Sequence, residues 1–156
     1  MSLTTHVTVG ATVGVLTHNP WLGFVAAVAS HHVLDMIPHS DPGSGGVDVT
    51  NILKHPETLL MVAFDAILAV SVMILIAYYY GWTLALLLGA FGGALPDLID
   101  NVPFWTNKLR KTKFFGAYHW FHEKLHFTIM NKKYVWVGIL TQLIVIFVSL
   151  SLLDII

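Results

Sequence analysis

Cysteine is absent from the chain, which excludes disulfides and thiolate metal sites together, so any metal would have to be held by His, Asp or Glu. Charge is scarce as well. Asp, Glu, Lys and Arg make up 11% of the 156 residues, against roughly 25% in an ordinary soluble domain. A water-soluble fold of this size needs a polar shell, and so few charges cannot build one unless lipid replaces water around most of the surface. With 56% hydrophobic residues and a mean hydropathy of +0.72, the composition predicts a single integral membrane domain over residues 1–156. A formal net charge of −1 supplies no basic field for nucleic acid and leaves membrane lipid as the expected partner. The opening Met1-Ser2-Leu3-Thr4-Thr5-His6 has no Lys or Arg before its apolar stretch and no small-residue cleavage site after it. It is therefore expected to persist as a helix rather than to be removed as a signal peptide.

What is present are five apolar stretches, each stopped by punctuating residues: about Leu3 to Thr17, Trp21 to Ile37, Leu59 to Tyr80, Trp82 to Ile99 and Tyr134 to Ile156. They predict an all-α polytopic membrane protein with about five transmembrane helices. The first, second and fourth are short for a ~30 Å hydrocarbon core, so the bilayer should thin around them or they should lean as hairpins on the longer pair. Asp41-Pro42-Gly43-Ser44-Gly45-Gly46 reads as a flexible turn. The segment from Asn101 to Lys133 mixes Trp105, Phe114, Phe115, Trp120 and Phe121 with Arg110, Lys111, Lys113 and Lys124, the composition of an interfacial amphipathic helix between helices four and five.

Threading five spans puts all eight basic residues (Lys54, Lys108, Arg110, Lys111, Lys113, Lys124, Lys132 and Lys133) on the side of the N-terminus. The positive-inside rule then predicts a cytoplasmic N-terminus and an extracytoplasmic C-terminus. The second and fourth stretches also echo one another, since Asp35 precedes Pro38 by three residues and Asp100 precedes Pro103 by the same interval. Two related helical hairpins would give that pattern.

The nine histidines are the surplus, and the threading brings most of them to one depth. His6 opens helix one, His31, His32 and Asp35 close helix two, Asp65 lies two turns into helix three, and Asp97 and Asp100 close helix four. His119, His122, Glu123 and His126 follow on the connecting segment. His31 and Asp35 are spaced i,i+4, Asp97 and Asp100 i,i+3, and His119, His122 and His126 i,i+3,i+7, so each set shares a helix face. A carboxylate in the apolar region costs roughly 2.5 to 3.5 kcal/mol and needs a partner. Lys and Arg are missing from every span, and a divalent cation held by His and carboxylates, most naturally zinc, is the expected partner. The candidate ligands outnumber what one tetrahedral zinc requires, so one or two ions are expected. Blander readings apply elsewhere. Asp41, Asp48 and Asp154 read as carboxylates facing interfacial water, His39 and His55 as loop residues, and His18 as structural. Tyr78, Tyr79, Tyr80 and Trp82 read as an interfacial aromatic belt. His122-Glu123-Lys124-Leu125-His126 matches the His-Glu-x-x-His helix that gives zinc proteases two ligands and a general base.

Thr5-His6 with Gly10, the run Ser30-His31-His32-Val33-Leu34-Asp35-Met36-Ile37-Pro38-His39, the run Gly93-Ala94-Leu95-Pro96-Asp97-Leu98-Ile99-Asp100 and the later histidines together resemble a known pattern. They are similar to the small bacterial and archaeal membrane-bound metal-dependent hydrolases, related in motif style to zinc-dependent phospholipase C-like membrane proteins. That family's His-Arg-Gly-x-Thr-His-Ser segment is replaced here by the stretch from His119 to Thr128, without the Arg and the Ser. The resemblance implies a metal site in a bacterial or archaeal cytoplasmic membrane. The leading expectation is a hydrolase acting at the cytoplasmic face on a lipid ester or phosphoester. Asp35, Asp97, Asp100, His6 and His31 would be its foremost ligands, followed by His119, His122 and His126, with Glu123 as general base and Lys124 and Arg110 holding a phosphate. The alternatives are a non-catalytic metal-binding module, a small ion transporter subunit using Asp65, Asp97 and Asp100, and a membrane metalloprotease built on His122 and His126.

Overall fold

The computed structural model describes residues 1–41, 47 and 49–156; all of the turn read from Asp41 to Gly46 except Asp41 itself, and the carboxylate Asp48, lie outside them. Among the described residues there are seven α-helices and no strand: α1 (Leu3–Thr17), α2 (Pro20–Asp35), α3 (Pro56–Tyr80), α4 (Leu84–Asp100), α5 (Thr106–Leu109), α6 (Lys113–Leu125) and α7 (Val135–Ser151). The polar residues that interrupt the apolar stretches start the helices. Side chains of Ser2, Asn19, Thr83 and Thr112 each accept from backbone N–H groups of the first turn that follows, satisfying donors that have no intrahelical partner. Pro20 and Pro56 take the first turn, where a missing N–H costs nothing. His18 closes α1 in the left-handed conformation at φ 50, a structural role as expected.

The five longer helices form a bundle around α1, which packs on α2, α3, α4 and α7. At one end Asp65 of α3 accepts from Leu3 N, Thr4 N and the Thr4 hydroxyl at 2.7, 3.2 and 2.6 Å, and Gln142 of α7 accepts from Ser2 N at 2.8 Å. At the other end Val15, His18, Tyr80, Thr83 and Ala85 line a common cavity, and the Tyr80 hydroxyl donates to the Leu153 carbonyl. Helices α1, α3 and α7 thus run one way and α2 and α4 run back, which brings the starts of the first set and the finishes of the second to one end.

The α1–α4 contact is built from small residues four apart. A Cβ on Gly10 would strike the Gly89 carbonyl, one on Gly14 the Ala85 carbonyl, and one on Gly93 the His6 carbonyl. Backbones can meet this closely only because these side chains are missing. That approach sets His6 of α1 directly beside the last turns of α4.

Among the described residues only two helical segments, not five, are long and apolar enough to cross a membrane: Pro56–Tyr80 with 25 residues and Lys132–Ser151 with 20. Helices α1, α2 and α4, with 15, 16 and 17 residues, reach about 22 to 26 Å at ~1.5 Å per residue, short of the ~30 Å core. Both long segments are largely exposed, with only 11% and 22% of their apolar windows buried. The segment from Asn101 to Lys133 folds as α5 and α6, with Phe114, Trp120 and Phe121 exposed.

Candidate metal centre

Two turns at the finish of α2 place His31 and Asp35 on its buried face, both wholly inaccessible. His6 enters from the first turns of α1 and stacks on His31 with ring centroids 3.7 Å apart. Helix α4 ends there in Asp97 and Asp100, and α6 lays His119 and His122 across the end of the bundle. Beyond α6 the chain pairs with the segment after α2. Phe127 N donates to the Asp35 carbonyl at 2.8 Å, Ile129 N to the His39 carbonyl at 2.7 Å, and His39 N to the Phe127 carbonyl at 3.2 Å. These bonds bring His126 against His39, with ring centroids 4.6 Å apart.

Asp35 is the hub. Its Oδ2 lies 3.1 Å from His31 Nε2 and 3.2 Å from His122 Nε2, and those two nitrogens are 3.2 Å from each other. Its Oδ1 lies 3.1 Å from His6 Nε2, 3.5 Å from His126 Nε2 and 2.5 Å from the Met1 α-ammonium. Asp97 Oδ1 flanks the first set at 3.8 Å from His31 Nε2 and 3.9 Å from His122 Nε2, and accepts from Asn101 Nδ2 at 2.8 Å.

The second nitrogen of each imidazole explains why Nε2 points inward. Nδ1–H of His31 donates to the Gly93 carbonyl at 2.7 Å, and that of His39 to the Ile37 carbonyl at 2.8 Å. His126 Nδ1 is 2.9 Å from the Thr128 hydroxyl, which itself donates to Asp41 Oδ2, so His126 donates to it. His122 Nδ1–H meets Asp100 Oδ2 at 3.2 Å. Each arrangement leaves Nε2 as the atom that could coordinate a metal, with the orienting partner that metal-bound histidines usually have.

Asp100 is itself fixed by Arg110 Nε at 2.9 Å and His119 Nδ1 at 2.8 Å. Burial pulls the His122 imidazole down, but its bonds to Asp100 and Asp35 outweigh that and hold it up at about 9. His126 goes the other way, lowered to about 4 by burial and by the neighbouring α-ammonium. Burial pushes the Asp41 carboxyl up, yet the neighbouring His39 imidazole and the α-ammonium hold it below the usual carboxylate range.

His6, His31, His32, Asp35, Asp97 and His122 lie together, and donor atoms of His31, His32 and His122, and of His6, His31 and Asp97, are within 4.8 Å of one another. The buried Nδ1 atoms of His6 and His32 and the Nε2 of His39 have no hydrogen-bond partner. Asp100, His119 and Glu123 form an outer group on the same criterion, with Glu123 exposed.

Other residues are placed differently. Asp65 is occupied in capping the start of α1 and joins none of these groups. Lys124 sits over the Trp120 ring at 4.7 Å, and Arg110 is bonded to Asp100. His122 and His126 do not share a group, because α6 stops at Leu125 and His126 adopts an extended backbone. His55 stays outside, 3.3 Å from Glu57. His39 and Asp41, read as a loop residue and an interfacial carboxylate, are instead part of the cluster: His39 is fully buried and its Nε2 is 3.5 Å from Asp41 Oδ2. The signal available in the sequence was the compact Asp35–Pro38–His39–Asp41 run. Comparison with protein-family models, with curated proteins and with solved structures finds no match, so the chemistry of this chain rests on its own residues.

Proposed function

We propose that this chain is a membrane-resident, metal-dependent hydrolase acting on a lipid ester or phosphoester at the end of the bundle where these histidines gather. The observation that carries the reading is the triangle of His31 Nε2, His122 Nε2 and Asp35 Oδ2, with sides of 3.2, 3.2 and 3.1 Å. Donors about 2.0 to 2.1 Å from a tetrahedral zinc lie roughly 3.3 Å apart. Three such donors on α2 and α6 therefore have the edge length of one zinc coordination face. Bound there, a divalent ion would polarise the scissile group and bring a water toward neutrality in pKa.

Within the chain each neighbour then has a task. Asp100 holds the His122 ring through Nδ1, and the Gly93 carbonyl holds that of His31. Asp97 faces the triangle from its more open side and, unlike Asp35, is close enough to take a proton while lying outside the 3.1–3.2 Å set. Water would deliver its hydroxyl to the acyl or phosphoryl centre and its proton, by way of Asp97, to the departing alkoxide. The apolar exposed faces of α3 and α7 supply the lipid contact, and the one-sided Lys and Arg distribution favours a cytoplasmic site. The resemblance to membrane-bound metal-dependent hydrolases agrees with this assignment.

Elemental analysis of the protein purified in detergent should find zinc or a related metal, and chelation should abolish hydrolysis of phospholipid or nitrophenyl ester substrates. Asp35→Ala and His31→Ala should each lose metal, whereas His18→Ala should keep it. Absence of metal in the wild type, or full occupancy in both variants, overturns the metal site; bound metal with no hydrolysis of esters or phosphoesters overturns the enzyme.

A further inference from the structure

The Oδ1 side of Asp35 carries a second set of donors that the triangle leaves unused. His126 Nε2 lies 3.5 Å from Asp35 Oδ1 and 3.7 Å from Asp41 Oδ2, and His39 Nε2 is 3.5 Å from the same Asp41 oxygen. Donor atoms of Asp35, His39 and His126 all fall within 4.8 Å of one another. His39 is fully inaccessible and its Nε2 has no hydrogen-bond partner. A buried nitrogen whose ring is already fixed through Nδ1 costs stability unless a cation or a proton donor faces it. The pocket is visibly one for positive charge, because the Met1 α-ammonium lies in it at 2.5 Å from Asp35 Oδ1, 3.3 Å from His126 Nε2 and 3.7 Å from Asp41 Oδ1.

We infer that this is a second divalent-metal position, held by Asp35, His39, Asp41 and His126, and that Asp35 bridges the two ions with one oxygen on each. The inference rests on the triangle of His31, His122 and Asp35 being the first position. A carboxylate bridge of this kind suits the ~3.5–4 Å spacing of two-metal sites, which clamp the attacking and leaving oxygens of a phosphoryl centre.

Charge selects the substrate class further. Asp35, Asp41 and Asp97 contribute three negative charges against four from two dications and one from the Met1 α-ammonium, while Asp100 is matched by Arg110. The centre keeps two positive charges, and a phosphodiester brings one negative charge where a carboxylic ester brings none. The second ion thus assigns the hydrolase to phosphodiesters such as phospholipid headgroup linkages.

The test is a titration of the metal-free, detergent-purified full chain with Mn²⁺, followed by dialysis, metal counting and low-temperature electron paramagnetic resonance. Two equivalents per chain with an exchange-coupled spectrum are expected for the wild type. His39→Gln and His126→Gln should each hold one equivalent with an uncoupled spectrum. One equivalent in the wild type, or a second equivalent that survives both substitutions, overturns the second position while leaving the first. No bound metal overturns both. If the variants do not fold, the wild-type count and coupling alone decide. Faster cleavage of a nitrophenyl carboxylic ester than of bis-nitrophenyl phosphate by the two-ion form would overturn the phosphodiester assignment.

Discussion

At Asp35, one wholly buried carboxylate faces the Nε2 atoms of His6, His31, His122 and His126 within 3.1 to 3.5 Å. Carboxylates of two kinds surround it, and their roles separate in isosteric variants. Asp97→Asn should lower turnover by about 10²-fold or more with metal content held, as removal of a general base does, while Glu123→Gln, exposed and beside His119, should alter neither. Turnover lost in Glu123→Gln and retained in Asp97→Asn would return the base to α6. Metal affinity should also report on His122, held at about 9 in the metal-free chain by Asp100 and Asp35 against its burial. Its folded pKa lies above the ordinary value, so the stability it lends the metal-free form is complete below about 6.5 and is lost as pH rises through about 9. A metal must expel that proton, so affinity should climb about tenfold per pH unit up to about 9 and level off above it; competition with a chelator at several pH values measures this. The ligand-rich turn of α2 was legible from the i,i+4 spacing of His31 and Asp35. His39 was not, because its burial depends on a backbone bridge to Thr128, and no local pattern announces a pairing of residues so far apart in sequence.

At the scale of elements, helix starts were readable because Ser2, Asn19, Thr83 and Thr112 are capping residues at the edges of apolar runs. Which runs stay exposed was not, since hydropathy treats a helix packed on glycines and a helix with an open apolar face alike. Helix α1 reads as one of the apolar runs, yet Thr5, His6, Thr8 and Ala11 are almost wholly enclosed by protein. Its partner α4 offers Gly89 and Gly93 at the same spacing as Gly10 and Gly14, and the interface fails if one gains a methyl group. Gly93→Ala should gain up to about 1 kcal/mol in helix propensity and lose about 1 to 3 kcal/mol in overpacking, because its Cβ meets the His6 carbonyl. Since the Gly93 carbonyl also holds His31 Nδ1 at 2.7 Å, metal affinity should fall along with thermal stability. A variant as stable as the wild type in a detergent melt would show that α1 and α4 can separate without cost.

For the whole molecule, α3 and α7 run in the same direction and present about half of the exposed large hydrophobic side chains; on the proposed membrane reading their starts would lie on one side and Tyr80 and Ile156 on the other. The chain has no cysteine, and a single introduced thiol reports its side without background. In intact cells Ile156→Cys should react with an impermeant maleimide and Asn107→Cys should not, and equal labelling at both would reverse the topology. The same lack of cysteine leaves the fold without a covalent cross-link, and the residues that meet at Asp35 come from remote parts of the chain. Asp35 and His122 are 87 residues apart, so an ion that holds both closes a loop of that length. By the chain-entropy argument for cross-links, such a closure is worth about 4 to 5 kcal/mol through the unfolded state. A chelator would then act as a reductant does on a disulfide protein, opening the clasp and exposing the chain to proteases at temperatures where the loaded form resists them.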